Sequence, residues 1–348
     1  MWEDTPFEKA MKNSLSGLGQ EGEALIGNYT NAKKTLVEQV YEGIKATEPE
    51  LSDHGPRHIK NVLENVGHLI GNAREKKYFN PLEYYFLGMV TLFHDVGNIH
   101  GRDRHNERIK DVYVHARGSN DKQEMRMILQ AAKAHTGEAA DGSKDTLNDL
   151  NVDGGFHYQS QPVRLLEVAA VLRMADELAE GPQRTSRFVF DTMGYAPENR
   201  IFHRYASCVQ VNIDRNAGRF ALSFNIEVCK AGRVEDSHVN ATKELLEFCY
   251  KRLVKLDQER KYTKFYCNLL APFRVTSGTF LFWINDEEHD FDLPTVIIDD
   301  RVIPGDGAAP AGRTATGTRR YSHPRVSARS VTRVPPRRIL SLPHCWDA

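Results

Sequence analysis

A strongly apolar run over residues 82–93 ends on His94-Asp95, followed by Val96-Gly97. Asn80-Pro81-Leu82-Glu83 predicts how the run begins as a helix: an N-cap, a proline at the first helical position and a glutamate closing a capping box. Leu82, Phe86, Met89, Val90 and Phe93 turn inward, so this helix has to be buried, and Gly97 ends it. A carboxylate at its C-terminal end costs several kcal/mol to bury unless a cation or hydrogen-bond donors compensate it. Whatever fold the chain adopts must bring that compensation to Asp95 from elsewhere in the sequence. A divalent cation would do so, with His94 as a second ligand.

The same conflict recurs in other segments. Leu165, Ala169, Leu172 and Asp176 fall at helical spacing, which puts a carboxylate on an apolar face. Arg173, three residues earlier, offers Asp176 an alternative partner. His58 precedes Ile59 and lies four before Val62, on the inner face of a helix that starts near Pro56. His135 shares a face with Met125, Ile128 and Ala132. One histidine on an apolar face is usually a satisfied core residue; several imidazoles and carboxylates on separate inward faces suit a first-row divalent metal. The donor set accepts Mn, Mg, Fe, Ni or Zn alike.

Periodicity divides the chain. Residues 1–49 are expected to be a helical extension, with Leu36, Val37, Val40, Tyr41 and Ile44 at helical spacing, and residues 50–195 a helical metal-binding domain with further helices over 121–135 and 162–180. From about residue 205 the period changes. Val209, Val211 and Ile213, then Phe220, Leu222, Phe224 and Ile226, alternate across a turn at 214–219 and predict a hairpin. A helix over 239–260 and strands near 279–284 and 295–298 complete a ββαββ order, an α+β accessory domain over 196–304. Phe280, Phe282 and Trp283 read as core. This region carries no chemical motif and is expected to cap the site or to form a homo-oligomer contact. Residues 305–348 hold eight arginines and no lysine. They read as a disordered basic tail, either an arm for nucleic acid or, the favoured reading, an extension unrelated to function.

Composition excludes several classes. The formal net charge is −1 with the basic tail included, so the body is acidic and nucleic acid is a disfavoured partner. No apolar run approaches the length of a membrane span, the N-terminus does not read as a signal peptide, and five unpaired cysteines without a CxxC suggest a reduced, cytoplasmic setting. There is no GxxxxGK loop, GxSxG elbow or paired-cysteine zinc site.

The motifs around His58, Leu92-Phe-His94-Asp95-Val-Gly97 and Leu172-Arg-Met-Ala-Asp176-Glu-Leu178 together resemble the HD-domain metal-dependent phosphohydrolase superfamily over residues 50–190. The resemblance implies a helical bundle, one metal held by His58, His94, Asp95 and Asp176, and hydrolysis of phosphoester or phosphoanhydride bonds, often in nucleotides. Many members carry a lysine where this chain has Asn98; Arg102 and Arg104 are nearby substitutes. His105 and His135 resemble the extra histidines of two-metal members, with Asp95 bridging, while His100 and His115 are weaker candidates. Arg57, Lys133, Arg164 and Arg173 are the other cations expected to face phosphate. Asp95 is expected to be essential to catalysis, and His54 or His135 to protonate the leaving group. The expected function is hydrolysis of a nucleotide-type substrate; the alternative is a non-catalytic nucleotide sensor on the same fold.

Overall fold

The computed structural model describes residues 2–47, 52–71, 78–102, 105–192, 194–291 and 293–301. Arg104 and the arginine-rich tail lie outside these residues. The chain is mainly helical. It opens with α1 (Pro6–Ser16), α2 (Gln20–Gln39) and α3 (Tyr41–Thr47), continues through α4 (Pro56–Ile70) and α5 (Pro81–Phe93), and then forms α6 (Ile109–Arg117) and α7 (Lys122–Lys133). A short hairpin, β1 (Phe156–Tyr158) and β2 (Gln161–Val163), leads into α8 (Leu165–Glu177). After α9 (Arg187–Thr192) and α10 (Pro197–Cys208) come β3 (Val209–Asp214), β4 (Arg219–Cys229), α11 (Asp236–Tyr266), β5 (Val275–Ile284), β6 (Glu287–His289) and β7 (Val296–Asp299).

Helix α5 is the hub. Every residue from Leu82 to Phe93 is buried. Its start is the capping box read from the sequence: Asn80 Oδ1 accepts from the Glu83 N–H at 2.9 Å, and Glu83 Oε2 accepts from the Asn80 N–H at 2.8 Å. At its other end the Tyr41 hydroxyl donates to the Leu92 carbonyl at 2.8 Å, satisfying one of the terminal carbonyls that lack a helical partner. That inward turn of Tyr41 coincides with the break at Val40, where the single helical period over residues 36–44 divides into α2 and α3. Helices α4, α7 and α8 pack around α5. Asn65 of α4 donates to the Ala175 carbonyl of α8 at 3.0 Å, one residue before Asp176, and so ties two ligand-bearing helices together.

The helix expected over 162–180 starts later, at Leu165. Residues 156–163 are instead a hairpin whose turn residues, Gln159 and Ser160, both take left-handed backbone (φ 50° and 64°). No glycine or asparagine marks that turn, so its sequence signal is weak. The later ββαββ order is observed with one further short strand, β6, between the last two. β3 and β4 form the antiparallel hairpin, and β4 runs parallel to β5 through the crossover helix α11. β6 and β7 both add to β5. Phe280 stacks on Phe224 and Phe282 is buried, so these aromatics are core. α11 lies between the sheet and α8, and one continuous apolar cluster runs from α1 to the sheet. No helix among the described residues is long and apolar enough to cross a membrane.

Candidate metal centre

The inward-facing groups from separate helices meet. His58 comes from the first turn of α4, His94 and Asp95 from the end of α5, and Asp176 from the last turn of α8. His58 Nε2 lies 3.4 Å from Asp95 Oδ2 and 3.2 Å from Asp176 Oδ1. His94 Nε2 lies 3.5 and 3.7 Å from the same two oxygens. The other Asp95 oxygen, Oδ1, faces a second pair: His105 Nε2 at 3.4 Å and His135 Nε2 at 3.6 Å. One carboxylate therefore serves two histidine pairs, one through each oxygen.

Backbone carbonyls set the ring orientations. His94 Nδ1 faces the Thr91 carbonyl at 2.8 Å, His105 Nδ1 the Arg102 carbonyl at 3.2 Å, and His135 Nδ1 the Ala132 carbonyl. A carbonyl only accepts, so each Nδ1 donates its proton there and Nε2 is the ring atom turned toward the carboxylates. His135 sits just past the end of α7, where its own N–H bonds back to the Ala132 carbonyl. His105 is brought in by Gly97. A Cβ at residue 97 would stand 1.8 Å from the His105 carbonyl oxygen, so only glycine admits that backbone.

These residues fit divalent metal. Ligand atoms on one first-row ion, each about 2.1 Å from it, stand about 3.0–3.4 Å apart, wider than a hydrogen bond of about 2.9 Å. The nitrogen–oxygen spacings follow the wider pattern. The Nε2 atoms of His58, His94 and His105 are buried without a hydrogen-bond partner. Two groups with converging donor atoms result: His58, His94, Asp95 and Asp176, and then Asp95, His105 and His135. Without an ion, the charges lean on one another. Burial opposes ionisation of Asp95, but His94, His105, His135 and His58 hold its carboxyl well below the usual range. Asp176 is held low against burial by His58 and His94. Burial likewise opposes a proton on His94, yet Asp95 and Asp176 raise its pKa to about 9.

The proton-donor roles expected of His54 and His135 meet a different geometry. His54 Nδ1 faces the Ser52 carbonyl at 2.6 Å, which leaves Nε2 as an acceptor for Arg102 Nη1 at 2.7 Å and Arg184 Nη2 at 3.2 Å. Burial and then the Arg184 charge push its pKa well down. His135 has both nitrogens committed, and burial lowers its pKa. Several expected phosphate contacts are also engaged elsewhere. Arg173 forks onto Glu259 at 2.7 and 2.9 Å and donates to Thr146 Oγ1, so it clamps α8 to α11 and is not the partner of Asp176. Arg164 pairs with Glu83 and Glu167. Lys133 is exposed and lines neither chamber near the centre. His100 and His115 lie outside both ligand groups. Arg102 does border the centre, and Arg57 lines an adjoining chamber.

The centre forms the floor of a chamber of about 770 Å³. Its walls include residues that carry no motif in sequence: Arg184, and Phe202, Tyr205, Phe248, Arg252 and Lys255 from α10 and α11. The accessory region therefore reaches the site. Amphipathic helices supply those walls, and only the fold shows which of their polar and aromatic residues face inward.

A helical bundle that brings a histidine, a His-Asp pair and a second aspartate together in this way defines an HD-type domain. The model of the HD-CE family matches residues 48–255, more than half of the chain, and the chain belongs to that family. No curated protein and no solved structure shows a match.

Proposed function

We propose that this protein is a metal-dependent phosphohydrolase acting on a nucleotide-type substrate, with Asp95 bridging two divalent ions. The observation that carries the reading is the division of Asp95: Oδ2 faces His58 and His94, Oδ1 faces His105 and His135. Bound ions there would acidify a water and polarise a phosphoryl oxygen. The chain's own groups do the rest. Asp176, partly open to the chamber, completes the first ligand set. The Arg102 guanidinium, held by His54 Nε2, borders the centre where phosphoryl charge would develop. Phe202, which is 48 % exposed, packs edge-on against Phe248 in the chamber wall and offers an apolar face to a base or sugar. The complete ligand set supports turnover over a purely sensing role.

Nucleoside triphosphates, deoxynucleoside triphosphates, cyclic nucleotides and dinucleotides, incubated with Mn²⁺, Mg²⁺ or chelator and resolved by mass, test this. Metal-dependent product is expected, and Asp95→Ala should lose at least about a hundredfold, because even second-shell losses at metal sites cost 10- to 100-fold. Stoichiometric metal without turnover on any of these substrates would defeat the hydrolase reading and favour the sensor.

A further inference from the structure

Beside the metal chamber lies a second one, of about 610 Å³. Ser52, His54, Arg102 and Arg184 line both, and so form the neck between them. His54 organises that neck. Its Nε2 faces both guanidiniums and so fixes where they stand.

The two chambers differ in how their charges are used. In the first, Arg173 is spent on Glu259, Arg252 on Glu177 and Glu180, and Lys255 on Glu177. In the second, Lys45 and Arg57 line the wall with no hydrogen bond or ion pair among the described residues. Asp53 is the one acid among its described lining residues, and its Oδ1 accepts from the Gly55 N–H. Two buried groups there also lack partners. Asn98 is 3 % exposed, lines this chamber, and neither its Oδ1 nor its Nδ2 is hydrogen-bonded. Arg184 is 9 % exposed and its Nε has no partner. Buried donors without acceptors are costly, and oxygen acceptors from a ligand would satisfy them.

We propose that the second chamber binds a phosphate group of the substrate other than the one at the metal centre. The substrate class is then a nucleotide bearing at least two phosphates, in a chain or at separate positions, laid across the His54–Arg102–Arg184 neck. This rests on the phosphohydrolase reading only for the fate of the first phosphate. In this chamber Arg57 and Lys45 supply the positive charge, and Asn98 Nδ2 adds a neutral donor.

The test uses inorganic tripolyphosphate and orthophosphate, titrated calorimetrically into the full-length protein as purified. Tripolyphosphate, whose linked phosphates can engage both chambers, is expected to bind more tightly than orthophosphate. In Lys45→Ala/Arg57→Ala its affinity should fall about tenfold or more, toward that of orthophosphate, since each charge-assisted contact is worth about a factor of ten. Both residues are exposed, so the variant should melt as the parent does. A control pair on the outer face of α7, Lys122→Ala/Arg126→Ala, should bind as the parent. Unchanged tripolyphosphate affinity in the first variant, or an equal loss in the control, overturns the assignment. The expected binding pattern without hydrolysis of any nucleotide would leave the chamber assigned and defeat the phosphohydrolase reading alone.

Discussion

Asp95 is 4 % exposed, and four imidazoles surround it. Its position depends on residues with no charge at all. Gly97 is the clearest case, because a side chain there would collide with the His105 backbone. Gly97→Ala is therefore expected to displace His105 from Asp95 Oδ1 and leave the His58–His94–Asp176 group in place. Metal analysis after dialysis should show one ion fewer per chain than the parent; an unchanged metal content would separate His105 from metal binding. His58, His94, Asp95, His135 and Asp176 were legible in the sequence because each is an ionisable group on or at the end of an apolar helical segment, a conflict that periodicity exposes; His105 was legible only through the resemblance to two-metal members. What periodicity does not show is which nitrogen of a ring is free. That depends on backbone carbonyls at Ser52, Thr91 and Ala132, which leave Nε2 of His54 facing two guanidiniums and Nε2 of His94 and His135 facing carboxylate oxygens. Arg184 and Asn98 were illegible as site residues for a related reason: nothing in their local pattern says that two chambers meet beside them.

At the level of elements, α11 does the joining. One of its faces holds α8 through the Arg173–Glu259 fork, and another holds the sheet through Arg260. Arg260 is 1 % exposed and pairs with Asp257 at 2.6 Å and Asp300 at 2.9 Å, besides donating to the Phe273 carbonyl. Burial works against the Asp300 charge, but Arg260 and Lys264 outweigh it and bring its pKa down to about 2. A carboxyl depressed on folding stabilises the fold above its unfolded pKa of about 4, and that stabilisation is lost as pH falls through the folded value. Asp300→Asn is accordingly expected to cost roughly 1 kcal/mol near neutral pH, after allowance for its partial exposure. The difference from the parent should shrink below about pH 4 and be small near pH 2, vanishing only below the folded pKa. Urea titrations across that range would show it; a difference constant with pH would mean that the ion pair is not what Asp300 contributes. The strands flanking α11 were legible because their alternation is strict, as in Phe220, Leu222, Phe224 and Ile226, all buried. The β1–β2 hairpin and α10 were not, since three-residue strands give too little pattern and α10 mixes Phe202 and Tyr205 with polar neighbours.

For the whole molecule, the centre acts as a long-range tie. Its candidate ligands run from His58 to Asp176 and arrive from α4, the end of α5, the turn at His105, the end of α7 and the end of α8. None of these segments holds a complete ligand set, so the site exists only when the bundle is assembled. An ion that binds the folded chain and not the unfolded one stabilises it by mass action, about 2.7 kcal/mol at a hundred times its dissociation constant. For a protein of this size that corresponds to roughly 4 °C in Tm. An ion there would also balance charge that apolar packing leaves in place: Asp95, Asp176 and four buried imidazoles otherwise depend on one another for charge balance. Removal of metal by chelation and dialysis is therefore expected to lower Tm by that amount, with recovery when Mn²⁺ is restored. Asp95→Asn, which keeps the shape but gives up the shared charge, should melt at one temperature with or without Mn²⁺. A parent protein whose Tm ignores both chelation and Mn²⁺ would show that the helices close without help from the centre, and that the cluster is held by its own ion pairs.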